Sequence, residues 1–436
     1  MPRRFLPFFL GLLVILTAVP GVTAGPTTNA PVGRFMVVLD DDVADPGTVA
    51  AQHARRFGLE VGFIYRWALK GYSATIPNAR LAELRSDPRV RLISEDGEVH
   101  LVAQTKPTGV NRIQADASSQ ASGNGSGSMG GSNKAVAVID TGAGPHPDVN
   151  IVGGKNCSTG NTWKDQNGHG THVAGTIGAK DNSSGVVGVA PNIRIYSVRV
   201  LNPAGSGSFS SVTCGVDWVT GRKKEFKDGS GDGDAGINFV VANISLGGSG
   251  SDGTCGSHAF HKAICNSVAQ GIVYVVAAGN ANANFKNSIP AAYNQVLTVT
   301  AMADFNGKSG GGAAATCRSD VDDTAADFSN WTVPGSTDAG HTIAAPGVCI
   351  RSTWKSDGYN TISGTSMAAP HVAGTVALCF YGGACSGLTP SQVIAKLRAN
   401  ADARSTSYGF KGDPDHPITS GGKTRYYGYL VYAGGY

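Results

Sequence analysis

The sequence predicts an α/β fold, a parallel sheet with helices on both faces, preceded by a small α+β unit. Three observations carry this. From Lys134 onward, short apolar runs alternate with helix-like stretches. Hydrophobic residues make up 41% of the 436 and charged residues only 15%, which suits a large buried core and excludes a disordered chain. Residues 103–132 turn to Ser, Gly, Asn and Gln, the composition of a linker or exposed loop, and so separate a shorter segment from a longer one.

The elements follow in order. Arg3 and Arg4 precede an apolar run from Phe5 to Val19, and Val22-Thr23-Ala24 supplies small residues after it. That pattern reads as a secretory signal peptide over residues 1–24, with an apolar run too short for a comfortable membrane span. No later run is long and apolar enough, so the chain is expected to be soluble, secreted and without a membrane anchor. In the unit over residues 31–102, "RFMVVL" (34–39) is strand-like. "DPGTVAAQHARRFG" is a helix capped by Asp45 and stopped at Gly58. "GYSATI" (71–76) alternates as a strand, "NARLAELRSDP" is a second helix ended by Pro88, and "VRLISED" is a further strand.

Residues 103–436 form the larger domain. "AVAVID" (135–140), "NIRIYSVRVL" (192–201), "INFVVANISL" (237–246), "GIVYVVAAG" (271–279) and "VLTVTAMA" (296–303) read as buried strands. Between them lie the helical patterns "HGTHVAGTIGA", "SSVTCGVDWVTG" and "SHAFHKAICNSVAQ". In sheets built this way, functional groups gather at the carboxyl ends of the strands. "GRKKEFK" with "DGSGDGD" (228–234) reads as an insertion in a surface loop. Asp228, Asp232 and Asp234 lack the spacing and the late Glu of a calcium loop, so a solvated loop is preferred.

The net charge of +4 is small for this length and gives no argument for a nucleic-acid partner. Eight cysteines, an even number, favour disulfides in an exported chain, and no CxxC pair suggests zinc.

Three polar motifs remain. Asp140 ends a strand in "IDTG", His169 opens a helix in "NGHGTHVAG", and Ser366 opens another in "GTSMAAPHVAG". A serine at a helix start is either a cap or a nucleophile. A serine hydroxyl is a poor nucleophile at neutral pH. It needs an imidazole base, and the imidazole needs a carboxylate to fix its tautomer and steady its positive charge. A helix N-terminus also offers outward N–H groups to an oxyanion. The chain order Asp, His, Ser is one of the orders known for serine triads.

On these motifs the chain resembles the subtilisin-like serine peptidases, nearest the proteinase K-like and bacterial secreted members, over roughly residues 31–432. The resemblance implies a secreted endopeptidase in which Asp140 orients the base, His169 is the general base and acid, and Ser366 is the nucleophile. Asn280, in "VVAAGN", matches the family's oxyanion donor beside the Ser366 N–H. Substrate strands are implied at Ser245, Leu246, Gly247 and Gly248 ("SLGG") and at Gly205, Gly207 and Phe209 within "AGSGSF". Ala278 and Gly279 join Asn280 in the wall of the primary pocket. No acidic residue stands at these positions, so small or apolar substrate side chains are expected there.

"AKDNSSGVVGVAP" (179–191) resembles the family's calcium loop. The implied ligands are Asn182, the carbonyls of Lys180, Ser184 and Val186, the Asp148 carboxylate and Gln104, around a structural calcium ion. Thr342 stands where a second family site carries a carboxylate, so that site is not expected. Short separations and the resemblance together give sequential disulfides, 157–214, 255–265, 317–349 and 379–385. The unit at 31–102 resembles the inhibitory, folding-assisting prodomain, cut near Val102–Gln104 to release a monomeric enzyme that acts on proteins or peptides.

Two rival readings stay open. His169 and His172 are spaced like metal ligands, though no H-E-x-x-H is present. A catalytically silent binding module could use the same scaffold. Asn156, Asn182 and Asn330 each sit in an N-x-[ST] pattern.

Overall fold

The computed structural model describes residues 32–96, 104–230 and 236–436. The expected signal peptide, the residues just before Gln104 at the expected cut, and Asp232 and Asp234 lie outside the described residues. Chain contacts form two compact units, one on either side of residue 100.

In the first unit, strands β1 (Val32–Leu39), β2 (Glu60–Tyr65), β3 (Gly71–Pro77) and β4 (Val90–Glu95) form an antiparallel sheet in the order β2-β3-β1-β4. Helix α1 (Pro46–Phe57) begins where the Asp45 carboxylate accepts from the N–H groups of Gly47 and Thr48, and ends at Gly58. Its buried face is Val49, Ala50, His53 and Phe57. Strand β2 escapes the sequence reading. It is an edge strand whose register against β3 shifts between Val61 and Ile64, so its side chains do not alternate cleanly between core and solvent. The second helix, α2 (Leu81–Arg85), is shorter than its sequence pattern suggests, because a 3₁₀ turn takes Asn78–Arg80.

The second unit is built on seven parallel strands. These are β5 (Lys134–Asp140), β6 (Ile151–Asn156), β7 (Arg194–Arg199), β8 (Asn238–Ile244), β9 (Val273–Ala277), β10 (Leu297–Ala303) and β11 (Thr342–Pro346). Their order is β6-β7-β5-β8-β9-β10-β11, with the two residues Thr324–Ala325 pairing antiparallel on β10. From β5 the chain first fills one side, reaching the outer β6 before the inner β7, and then builds outward on the other. The crevice beside β5 is therefore the switch point where open parallel sheets place ligands.

Both faces of the sheet are covered, and β5 shows why. Val136 and Val138 enter one core, while Ala135, Ala137 and Ile139 enter the other. Helices α3 (His169–Gly178) and α6 (Thr365–Tyr381) pack into the first core. Helices α4 (Phe209–Asp228) and α5 (Ala259–Val268) pack into the second. Helix α7 (Pro390–Asp402) opens with a capping box between Thr389 and Gln392 and adds Val393, Ile394 and Leu397 to the first core.

The loop expected at "GRKKEFK" is instead the last two turns of α4. The helix runs on to Asp228, and Gly229 closes it in the left-handed conformation. Lys223 explains the continuation. Its stem is buried, and its ammonium donates to Asn238 Oδ1 at 2.6 Å, fastening the helix to β8. The disulfides pair 157–214, 255–265, 317–349 and 379–385, leaving no free cysteine. Among the described residues no helix is long and apolar enough to cross a membrane.

Candidate active site

The site lies at the carboxyl ends of β5, β8 and β9. Asp140 is the last residue of β5 and fully buried. Its Oδ1 accepts from the Thr141 N–H at 2.7 Å and from His169 Nδ1 at 2.8 Å. Because a buried carboxylate faces Nδ1, that nitrogen carries the proton, which leaves Nε2 as the basic nitrogen. Asp140 Oδ2 is buried without a hydrogen bond.

His169 begins α3, and its position is set by a residue the sequence reading passed over. The Asp165 carboxylate accepts from the N–H groups of Asn167 and Gly168, from the N–H and hydroxyl of Thr171, and from the Thr141 hydroxyl. Thr141 Oγ1 in turn accepts from the Gly170 N–H at 3.0 Å. Asp165 thus caps the first turn of α3 and ties it to the residue after Asp140. Burial disfavours the charged imidazole of His169. The charge and hydrogen bond of Asp140, with the charge of Asp165, outweigh that burial and hold its pKa above the ordinary histidine value.

The next position along the sheet carries the serine. Ile139 pairs with Ile244, so Ser245 follows β8 beside Asp140. Ser366, in the first turn of α6, donates its hydroxyl to the Ser245 carbonyl at 3.0 Å. The Ser245 hydroxyl donates back to the Ser366 carbonyl at 2.9 Å. Pro370 makes this exchange necessary. It has no N–H to offer the carbonyl four residues earlier, which is that of Ser366, so Ser245 satisfies it instead. In this arrangement the Ser366 hydroxyl donates to the Ser245 carbonyl and not to His169.

Asn280 follows β9 and faces the same helix start. Its Oδ1 accepts from the Thr365 N–H at 2.8 Å and from the Thr365 hydroxyl at 2.9 Å. An N–H can only donate, so the oxygen must be on that side and Nδ2 must face away. A Cβ on residue 364 would lie 3.5 Å from Asn280 Nδ2 and 3.7 Å from the Ser366 nitrogen. Gly364 leaves that space open, bordered by these two nitrogens and by Asn280 Oδ1 at 3.8 Å.

A cavity of about 350 Å³ opens beside Ser366. Leu246, Gly247 and Gly248 line one wall, Ala278, Gly279 and Asn280 another, and no charged side chain borders it among the described residues. Phe209 lies across Gly248, where a Cβ would come 2.8 Å from its ring, and stacks on Phe260. Gly205 and Gly207 lie on the exposed loop before Phe209, and neither lines this cavity. Gly207 instead borders a separate cavity of about 630 Å³ beside the Cys157–Cys214 bridge.

The metal reading of His169 and His172 does not survive the geometry. His172 is buried, bonds through Nε2 to the Ile350 carbonyl, and is pushed by burial down to about 3. His371 is likewise buried, bonded to the Met367 carbonyl and pushed down to about 4. Both are neutral core residues. Cys255, His261 and Cys265 stand close together, but the two sulfurs are bonded to each other and cannot ligate as thiolates.

The calcium candidates do converge. Gln104 donates its amide to the carbonyls of Lys180 (2.8 Å) and Val186 (3.4 Å). Asp148 is buried, and burial pushes its carboxyl up. It accepts only from neutral donors, namely Asn182 Nδ2, the Val186 N–H and the Tyr359 hydroxyl. Ser184 donates its N–H to Asn182 Oδ1 at 2.8 Å. Of the sequons named above, Asn330 is buried with both ends of its amide bonded, so the folded chain does not present it for glycosylation.

Comparison with known proteins agrees with this geometry. The Subtilase family pattern matches residues 131–429. The chain is 39% identical over 296 residues to an alkaline protease of Alkalihalobacillus alcalophilus, covering 68% of this chain and 65% of that protein. It is 38% identical over 304 residues to subtilisin DY of Bacillus licheniformis, covering 69% of this chain and 92% of that one. A solved cold-adapted subtilisin-like serine proteinase superposes with a TM-score of 0.51 at 32% identity, covering 74% of this chain and 98% of that one. With the family pattern spanning the whole parallel sheet and the two helices that carry His169 and Ser366, the chain belongs to the subtilase family.

Proposed function

We propose that the chain is a secreted serine endopeptidase that cleaves peptide bonds through an acyl-enzyme on Ser366. The observation that carries this reading is the 2.8 Å bond from His169 Nδ1 to the buried Asp140, at the strand end next to the one that holds Ser366. His169 Nε2 takes the proton of Ser366 as Oγ attacks the substrate carbonyl. The oxyanion forms between the Ser366 N–H and Asn280 Nδ2. His169 then passes its proton to the leaving amine, and water repeats the sequence on the ester. Leu246 to Gly248 offer backbone to an extended substrate, Gly205 to Phe209 offer a second strand, and the uncharged cavity takes a small or apolar side chain.

The same reading makes residues 31–102 a prodomain that assists folding and inhibits until it is cut near Val102–Gln104, after export by the signal peptide at 1–24. The mature catalytic domain begins at residue 103 or 104 and acts as a monomer. The Gln104, Asp148 and Asn182 side chains, with the carbonyls of Lys180, Ser184 and Val186, suit a hard cation: at least six oxygens with one buried carboxylate. A calcium ion bound there supplies structural charge and takes no part in the chemistry.

A phosphonylating reagent tests the reading directly. It should label Ser366, abolish casein hydrolysis and leave Ser366→Ala unlabelled. The Ser366→Ala chain, its signal peptide apart, should also keep its full mass, residues 31–102 included. Loss of the first segment without added protease would rule out self-processing.

A further inference from the structure

Resting on the reading just given, we infer that Asn330 is a positioning residue that holds the oxyanion loop in register for Asn280. Asn330 is 2% exposed, and the only pattern the sequence places it in is an N-x-[ST] sequon, which says nothing of the site. Its side chain spans the loop that carries Asn280. Oδ1 accepts from the N–H groups of Ala281 and Ala283, each at 3.0 Å. Nδ2 donates to the Ala278 carbonyl at 2.9 Å, and the Asn330 backbone N–H donates to the Gly279 carbonyl at 2.9 Å.

Four bonds therefore bracket Asn280 from the two residues before it and from Ala281 and Ala283 after it. The bracket is close enough to dictate a neighbour. A Cβ on residue 279 would fall 2.5 Å from Asn330 Nδ2, and Gly279 itself sits at φ +102, so glycine is required twice over. Asn330 is anchored in turn. Segment 328–331 pairs with 282–285 through Asn282 N–H to the Phe328 carbonyl, Trp331 N–H to the Ala283 carbonyl, and Phe285 N–H to the Trp331 carbonyl. Ser329 accepts from the Ala301 N–H of β10 at 2.9 Å.

The division of labour follows. Thr365 sets which way the Asn280 amide faces, and Asn330 sets where the Asn280 backbone stands. A donor placed an ångström off loses most of its worth to a developing oxyanion, while backbone binding along Leu246 to Gly248 is kept and the cavity wall that Asn330 shares at Ala278 and Gly279 adds only a small change in KM. The loss should therefore fall on kcat.

The test is a double-mutant cycle on the mature enzyme with a chromogenic peptide. Asn330→Ser alone should lower kcat about 10- to 100-fold with KM within about threefold. Added to Asn280→Ala, the same change should cost less than about threefold, because the donor it positions is already gone. An equal loss in both backgrounds, or a loss confined to KM, overturns the inference. If Asn330→Ser does not fold, Asn330→Thr, uncharged and able to keep one bond across the loop, replaces it in the cycle under the same criteria. A wild-type chain that hydrolyses nothing and resists the phosphonylating reagent would defeat the peptidase reading instead, so the two failures are distinct.

Discussion

The two halves of the site are held by different kinds of bond. On the base side, Asp140 and Asp165 grip the start of α3, so carboxylates do the positioning and their charge reaches the imidazole. On the nucleophile side the bonds are neutral. Ser245 and Ser366 exchange hydroxyl and carbonyl, Thr365 fixes the Asn280 amide, and Asn330 brackets its loop. A charged lock both places a base and tunes it. A neutral lock places donors without disturbing any titration. Perturbing the first half should move rate and pH profile together, whereas perturbing the second should move rate alone.

The largest contrast comes from Asp140→Asn. Its amide can present a donor to Nδ1 and select the wrong tautomer, which costs about 10⁴-fold in kcat. It should also remove the main force that raises His169, so the acidic limb of the rate profile moves to lower pH. Asn280→Ala should cost about 10²- to 10³-fold, a magnitude measured on a subtilisin for loss of one oxyanion donor. Its acidic limb should stay where the wild type's lies. A limb displaced in Asn280→Ala would show that the halves are coupled electrostatically and would erase the distinction.

Calcium offers a smaller perturbation, aimed at a third place. The candidate loop touches the nucleophile side through Tyr359, which donates to Asp148 and lies a few residues before Ser366. An ion at about 100 times its Kd adds about 2.7 kcal/mol of stability. A chelator should therefore lower the melting temperature of the mature enzyme, and Asp148→Ala should remove that sensitivity. A melting temperature indifferent to chelator would remove the ion from the account.

How much of this was legible in the sequence depended on whether the signal was local. Asp140, His169 and Ser366 each sit inside a short stretch whose strand or helix pattern shows where the residue falls on its element. Five of the seven parallel strands were equally plain, because burial on both faces makes them continuous apolar runs, whereas the edge strands β6, only half-buried, and β11, five residues long, were not read. Strand β2 was lost because its register shift breaks the alternation. The end of α4 was lost because a charged run looks solvated, and only the fold reveals that Asn238 receives the Lys223 ammonium. Asp165 stands four residues before His169, where a capping carboxylate could have been suspected. Asn330 lies 50 residues from Asn280 in sequence, and nothing in its surroundings announces the loop it holds.

Asp165→Asn is the finest test of the contrast. The substitution keeps an oxygen for one side of the carboxylate's bonds, but its amide nitrogen cannot accept on the other. With Oδ1 left on Thr141, Asn167 and Gly168, the new nitrogen meets the N–H of Thr171, donor against donor. Losing that cap should cost about 1–2 kcal/mol of stability and fray the first turn of α3. The charge is lost as well. Asp165 raises the His169 pKa along with Asp140, so its removal lowers that pKa while Asp140 remains. The base must be neutral to accept a proton, and wild-type activity therefore fades as pH falls through a midpoint above the ordinary histidine value. In Asp165→Asn the midpoint moves down, by less than in Asp140→Asn, while the plateau rate falls a few-fold from the loosened helix start. Thr171→Val separates the two effects. It removes the hydroxyl bond to Asp165 but keeps the charge, so it should weaken the cap and leave the midpoint in place. If the midpoint shifts equally in both variants, geometry rather than charge sets the base, and the two halves of the site are held by one kind of lock after all.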